Sequence, residues 1–321
     1  MAKTRVAIIG AGKVGATFAY GLLMSGVAND IVLIDSNRAK AEGEVMDLEH
    51  AQAFAPPTRI SVGDYSDCAD ASVIVVTAGG GRQPGDSRLD LLKKNYDLVA
   101  EIIASIMRHD PHGVILIASN PVDVLTYAAL QLSGLPARQV IGSGTILDTA
   151  RFRTLLSQHF GVDTHSVHAH IIGEHGDSEV PVWSLANIAG IKLSTFCDSH
   201  GMDDAAPLQE IFVRTRDAGS AVIQRKGATY YGIAASLVQI IAAIVRDQNT
   251  VLSVSSLALD YYGINDVCLS LPTVLNRSGV KEVLPLQLST DEIQQLQHSA
   301  EVLRSSIAAL EKKKSATAGP G

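Results

Sequence analysis

A glycine-rich turn, Gly10-Ala11-Gly12-Lys13-Val14-Gly15, stands between an apolar β-branched run, Arg5–Ile9, and an amphipathic stretch over residues 14–25. Strand, glycines and helix in that order make the first turn of a dinucleotide-binding unit. Gly10 permits the tight turn, Gly12 lets backbone approach a pyrophosphate, and Gly15 lets helix and strand pack closely. The pyrophosphate then sits at the positive end of the helix. Asp35 follows Gly15 by 20 residues and closes a second apolar run, residues 31–34. A carboxylate there accepts hydrogen bonds from ribose hydroxyls and repels a 2′-phosphate, which points to NAD rather than NADP. Arg38 is the nearby cation that would offset this repulsion. Alone, the glycines read as a plain turn and Asp35 as a helix-start acid; their joint spacing favours the dinucleotide.

The alternation continues. A helix is predicted over residues 38–53, stopped by Pro56-Pro57. Apolar runs at 73–77, 114–118 and 139–141 each precede a helical stretch. This pattern argues for an α/β, Rossmann-type doubly wound parallel sheet with helices on both faces. Past residue 145 the pattern changes. Strands are expected at 167–172 and 251–254, and antiparallel pieces at 267–271 and 281–284 about the turn Asn276-Arg277-Ser278-Gly279. Long helices are expected at 207–226, 229–245 and 291–310. The reading is an NAD-binding domain over 1–145 and a C-terminal α+β substrate domain over 146–311. Residues 312–321 have no apolar period and read as a disordered tail. A length of 321 residues suits two such lobes.

Composition removes several function classes. Hydrophobic residues at 46% and charged residues at 18% describe a folded chain. The net charge of −7 leaves no basic stripe for a phosphate backbone, and 5% aromatics make a poor stacking platform, so nucleic acid is not an expected partner. Cys68, Cys197 and Cys268 are odd in number, far apart and outside any CxxC pattern, so they read as isolated thiols in a reducing compartment. The N-terminus does not read as a signal peptide. The most apolar stretch, 234–245, contains Ser236 and Gln239 and is too short to span a bilayer. The expectation is a cytoplasmic protein with no membrane partner.

Several residues carry potential chemistry. His165, His168, His170 and His175 cluster in sequence, but no cysteine or HExxH arrangement accompanies them, so no metal is assigned. In Gly173-Glu174-His175-Gly176-Asp177-Ser178, a histidine between glycines follows an apolar strand. It reads either as a hydrogen-bonded loop histidine or as a general acid/base working near neutrality. Asp148 and Arg151 share a face of a predicted helix. They form a surface ion pair, or Asp148 orients the histidine while Arg151 clamps a carboxylate bidentately. The loop 79–87 holds Arg82, Pro84 and four glycines before Arg88 opens a helix, which suits a mobile lid or a flexible connection.

Together, residues 10–15, 84–91, Ser119-Asn120-Pro121-Val122-Asp123, 142–153, 170–183 and 226–233 resemble the lactate/malate dehydrogenase superfamily, on its L-lactate dehydrogenase side. The resemblance runs from residue 5 to about 310. It implies an NAD-dependent L-2-hydroxy acid dehydrogenase that converts pyruvate and NADH to L-lactate and NAD. It further implies that His175 is the proton donor, that Asp148 holds His175, that Arg88 arrives with the lid to polarise the carbonyl, and that Arg151 anchors the substrate carboxylate. Asn120 and Thr229 would line the substrate pocket. Cofactor contacts are implied at Val14, Thr77, Ala78, Gly79, Asn120, Ser143 and Ile233, beside Gly10, Gly12, Gly15 and Asp35. Residues 226–232 match lactate rather than malate enzymes. Arg82 departs: lactate dehydrogenases carry glutamine there and malate dehydrogenases arginine, while Gln83 follows one residue later. Mixed specificity is therefore expected, with malate dehydrogenase as the alternative. Arg153 and His168 match positions that bind fructose 1,6-bisphosphate between subunits in regulated bacterial relatives, and a homo-oligomer, tetramer or dimer, is implied. A non-catalytic NAD-binding regulator on the same fold is the remaining alternative.

Overall fold

A computed structural model describes residues 4–80, 87–200 and 205–317, with backbone alone for residues 88, 205 and 313–317. The first half runs β1 (Arg5–Ile9), α1 (Lys13–Ser25), β2 (Asp30–Ile34), α2 (Arg38–Ala51), β3 (Arg59–Val62), β4 (Val73–Val76), α3 (Arg88–Met107), β5 (Val114–Ile117), α4 (Val122–Ser133), β6 (Val140–Gly142) and α5 (Ile146–Phe160). These strands are parallel and lie in the order β3-β2-β1-β4-β5-β6. Every residue of β1, β2, β4 and β5 is buried, because helices cover both faces. Ile8, Leu33, Leu22 and Leu237 fill one side of the sheet, and Ile9, Ile74, Ile103 and Ile115 the other. The order reverses between β1 and β4, so a crevice opens at their carboxyl ends, where such sheets bind nucleotides. The edge strand β3 had no counterpart among the strands expected from sequence: of its four residues only Ile60 is buried, too few to make an apolar run.

The second half continues with β7 (Val167–His168), β8 (Ile171–Ile172), β9 (Val180–Pro181), β10 (Asn187–Ile188), β11 (Ile191–Lys192), α6 (Leu193–Ser199), α7 (Ala205–Lys226), α8 (Tyr231–Val245), β12 (Thr250–Leu257), β13 (Cys268–Asn276), β14 (Gly279–Val283) and α9 (Thr290–Thr317). The expected single strand over 167–172 is two short ones. β7 joins β10 and β11, while β8 forms a hairpin with β9. Strands β12 to β14 do not build a sheet of their own. Ser255 of β12 pairs antiparallel with Gly142 of β6, which extends the parallel sheet to nine strands. The disordered tail expected from residue 312 is corrected in part, since α9 continues to Thr317. Leu310 is still buried in the core there. Among the described residues no helix is long and apolar enough to cross a membrane.

Candidate active site

The glycine turn is set by close contact with the end of β4. Gly10 has φ +105°, and a Cβ on it would stand 2.7 Å from the Ala78 backbone nitrogen. A Cβ on Gly15 would stand 1.9 Å from the Gly10 carbonyl oxygen. Thr77 ties the two segments together, its Oγ1 donating to the Gly10 carbonyl at 2.9 Å. At Gly12, the N-cap of α1, a Cβ would meet nothing within 4 Å, and no side chain caps the helix. Backbone N–H groups of the first turn thus face an open concavity suited to an anion. Asp35 lies against this turn. Its Oδ2 accepts from the Ala11 N–H at 2.7 Å and its Oδ1 from the Asn37 N–H at 2.8 Å. The residues present fit the pyrophosphate and ribose of a dinucleotide.

The cradle is braced by a residue that no sequence motif marks. Buried Asn95, on α3, accepts from the Gly80 N–H at 2.9 Å and donates to the Asn120 carbonyl at 2.7 Å. It links Gly80 to Asn120. Ser119 Oγ donates to the Ala78 carbonyl at 2.6 Å. Ser143 is buried just after β6, its N–H donating to the Ile117 carbonyl at 2.8 Å. Val14 and Ile233 are half-buried on the same side of the sheet. Thr229 is half-buried in the segment between α7 and α8. Asp35→Ser is expected to weaken NADH about 10- to 100-fold, the worth of a hydrogen bond to a charged group. It should weaken NADPH less. Fluorescence titration with both checks this, and equal losses would confine Asp35 to holding the turn.

A second cluster stands beside the crevice. The first two turns of α5 carry Asp148, 2% exposed, and Arg151. The loop between β8 and β9 carries His175. His175 Nδ1 meets Asp148 Oδ2 at 2.6 Å, and Arg151 Nη1 donates to Asp148 Oδ1 at 2.8 Å. Asp148 and Arg151 are therefore no separate surface pair, and the loop histidine finds its ring partner in Asp148, which makes one linked array. Two more buried carboxyls join it. Asp123, at the start of α4, accepts the His175 backbone N–H at 2.7 Å. Glu179 ends the His175 loop and is also buried. Neither stands out in the sequence: Asp123 reads as a first-turn helix acid and Glu179 as one of many acids near a turn. The His175 ring keeps 30% exposure. Its open side faces a cavity of about 760 Å³ lined by Leu89, Asn120, Val124, Asp177 and Val302.

The electrostatics follow from this packing. Burial works to depress the His175 ring, but the charge and hydrogen bond of Asp148, with Asp123 and Glu179 behind, raise it to about 9. Burial pushes Asp148 up, yet His175 and Arg151 together hold it below the usual carboxylate range. Burial raises Asp123 to about 6 and, with the Asp148 charge, Glu179 to about 8. Strongly shifted groups gathered in a cleft mark a site for acid–base chemistry. With Nδ1 bound to Asp148, the tautomer is set and Nε2 is left to carry the exchangeable proton.

The other sequence candidates separate. His165 is exposed and paired with Asp163. His170 is held off by burial, down to about 4, with Nδ1 3.3 Å from Ser253 Oγ. Among the described residues no group of three or more His, Cys, Asp or Glu could hold a metal ion. Arg88 opens α3, with its backbone alone described. Of the loop 79–87 expected as a lid, residues 81–86, Arg82 among them, lie outside the described residues. Arg153 does not join the Asp148 contact; its Nε donates to the Ala169 carbonyl at 2.9 Å, and His168 is exposed beside that carbonyl's residue.

Two family models match the chain. One, the lactate/malate dehydrogenase NAD binding domain, covers residues 4–142, and the other, the lactate/malate dehydrogenase alpha/beta C-terminal domain, covers residues 145–314. The chain belongs to the lactate/malate dehydrogenase family. Its similarity to other members spans almost the whole length. An L-lactate dehydrogenase from Priestia megaterium is 50% identical over 303 residues, 94% of this chain and 95% of the relative. The ligand-bound crystal structure of a minor L-lactate dehydrogenase from Enterococcus mundtii superposes with a TM-score of 0.93 at 38% identity, covering 95% and 98% of the two chains. A lactate dehydrogenase from a Medee basin deep-sea metagenome library also gives 0.93, at 43% identity over 97% and 100%. In this lactate/malate dehydrogenase the two models meet at the Ser143-Gly144-Thr145 connection, where β6 feeds the helix that carries Asp148 and Arg151.

Proposed function

We propose that this chain is an NAD-dependent L-lactate dehydrogenase, interconverting pyruvate and L-lactate. The observation that carries the reading is the linked His175–Asp148–Arg151 array beside the glycine cradle. NAD, when bound, supplies or accepts the hydride. His175 gives a proton from Nε2 to the carbonyl oxygen during reduction and takes it back during oxidation. Asp148 holds that ring and stabilises its charged form, as a paired acid does for a catalytic histidine. Arg151, fixed on the same carboxylate, grips the substrate carboxylate with its planar fork. By resemblance, Arg88 polarises the carbonyl, and Asn120 and Thr229 line the pocket. The relatives named above are lactate enzymes, which favours pyruvate; Arg82 is the one residue that speaks for a dicarboxylate. Consumption of NADH on adding pyruvate, with L-lactate as product, tests the reading. A protein that binds NADH and turns over neither pyruvate nor oxaloacetate would be the non-catalytic regulator.

The enzyme is proposed to work in the cytoplasm as a homotetramer. Its three cysteines are all buried, and Cys68 and Cys268 are free thiols, which suits a reducing compartment. Tyr20, Met24, Phe54 and Tyr231 are exposed apolar side chains that a second copy would cover. The resemblance assigns Arg153 and His168 to fructose 1,6-bisphosphate. In support, Arg153 is held at Ala169, adjacent in sequence to exposed His168. The sugar bisphosphate should lower the pyruvate KM and shift dilute protein toward tetramer in sedimentation. If neither quantity moves, the effector role is wrong.

A further inference from the structure

Three buried carboxyl groups converge on His175, and two of them are bonded to it: Asp148 at the ring and Asp123 at the backbone. Glu179 is the third. It is 5% exposed, and its Oε1 is closed off from solvent with no hydrogen-bond partner among the described residues. A carboxylate needs such partners when buried, and the neutral acid needs them far less. The position is rigid. Pairing of Ile172 with Val180 closes the loop that holds His175, and the Glu179 N–H donates to the Gly176 carbonyl at 3.3 Å.

The charged groups facing Glu179 come from three elements. Asp148 and Arg151 lie on α5, His175 on its own loop and Arg216 on α7. Arg216 is engaged by Asp217 at 2.9 Å and also feels Asp177, so it is a weak counter-charge for Glu179. Asp123 on α4 acts on the same histidine. With Asp123, Asp148 and Glu179 ionised and His175 and Arg151 cationic, the three negative charges outnumber the two positive and leave a net −1; a proton on Glu179 makes the cluster neutral. An oxo acid adds a further negative charge next to Arg151. Water is displaced as it enters, which strengthens repulsion between the two carboxylates.

We propose that Glu179 is a proton-linked positioning residue: it holds a proton while the substrate carboxylate is paired with Arg151 and, in alkaline solution, gives it up when that place is empty. This rests on the reading of Arg151 as the carboxylate anchor. The proton comes from solvent on binding and returns to solvent on release, in addition to the proton that His175 carries for the reaction. Glu179 does not line the cavity onto which His175 opens. Its effect therefore falls on KM, which rises as Glu179 ionises, while kcat follows the state of His175. Burial and the Asp148 charge place that ionisation near 8, above the usual carboxylate range.

The test counts protons taken up when oxamate, an unreactive isostere of pyruvate, binds the enzyme–NADH complex. Calorimetry in buffers of differing ionisation enthalpy gives the count across roughly pH 6–10, a span that covers both groups. Wild type is expected to exceed one proton per site at the upper end. Glu179→Gln and Glu179→Ser should be limited to one. The pyruvate KM should also climb with pH more steeply in wild type than in either substituted enzyme, the difference reaching up to about tenfold per pH unit. One proton or fewer throughout in wild type, or counts unchanged by both substitutions, would overturn the proposal. Should neither substituted enzyme bind NADH, the wild-type count decides alone: above one supports a second group, and at or below one rejects it. Arg151→Lys separates the two layers. If oxamate affinity survives that change, the anchor reading itself fails; if affinity is lost while the Glu179 arms show nothing, only the present inference falls.

Discussion

His175→Asn is expected to lower turnover at least about 100-fold, an ordinary contribution from a positioned general acid. NADH affinity should persist, because the glycine cradle is built from β1, α1 and the end of β4 rather than from the His175 loop. Wild-type pH dependence carries the same signature. Folding raises the histidine toward about 9, so it is charged in the native site where a free histidine would be neutral. Pyruvate reduction needs that charged form and should fade as pH climbs through the raised value; lactate oxidation needs the neutral form and should rise. Stability has the same sign. The His175–Asp148 pair contributes fully below the unfolded value of about 6.5 and is lost as pH rises through the native value. Asp148→Asn should move the midpoint of the rate profile downward. Near-wild-type turnover in His175→Asn, measured under NADH saturation, would remove the histidine from the chemistry.

Arg151→Lys is expected to reduce kcat/KM for pyruvate about 30- to 150-fold, corresponding to roughly 2–3 kcal/mol for a broken charge pair. Lysine keeps the charge but not the planar fork that reaches Asp148 and the substrate together. Asp148 would lose the 2.8 Å bond from Arg151 while its bond to His175 remains. The loss should therefore appear mainly in KM. A KM within twofold of wild type would show that the substrate carboxylate is held elsewhere.

Local features of the site were readable from sequence, and contacts between distant segments were not. The Gly10–Gly15 spacing and the β-branched runs of β1, β2, β4 and β5 announce the sheet because each is a short-range pattern. Asp148 and Arg151 could be placed on one helical face from their spacing. Their union with His175 could not be derived that way, since the loop is brought to α5 by the β8–β9 hairpin. The residues alone left it as one of two alternatives, and the resemblance decided between them. Asp123 and His175 are 52 residues apart and meet because α4 starts beside that loop. Asn95 sits on a helix with no mark distinguishing it from other polar residues, and its role exists only through Gly80 and Asn120. The return of β12 to β6 is likewise invisible locally. Its burial is a matter of which sheet it joins, and alternating residues such as Ser253, Ser255 and Val254 fit either.

Arg82 leaves one quantity that bears on the central claim more than any other. It is the ratio of kcat/KM for pyruvate to that for oxaloacetate, measured by NADH consumption under identical conditions, with the chirality of the product determined. An L-lactate dehydrogenase should consume one NADH per L-lactate formed and prefer pyruvate. Arg82 should keep oxaloacetate within about 100-fold, or about 2.7 kcal/mol. A clear preference for oxaloacetate, or no NADH consumption with pyruvate by protein that binds NADH, would contradict the account.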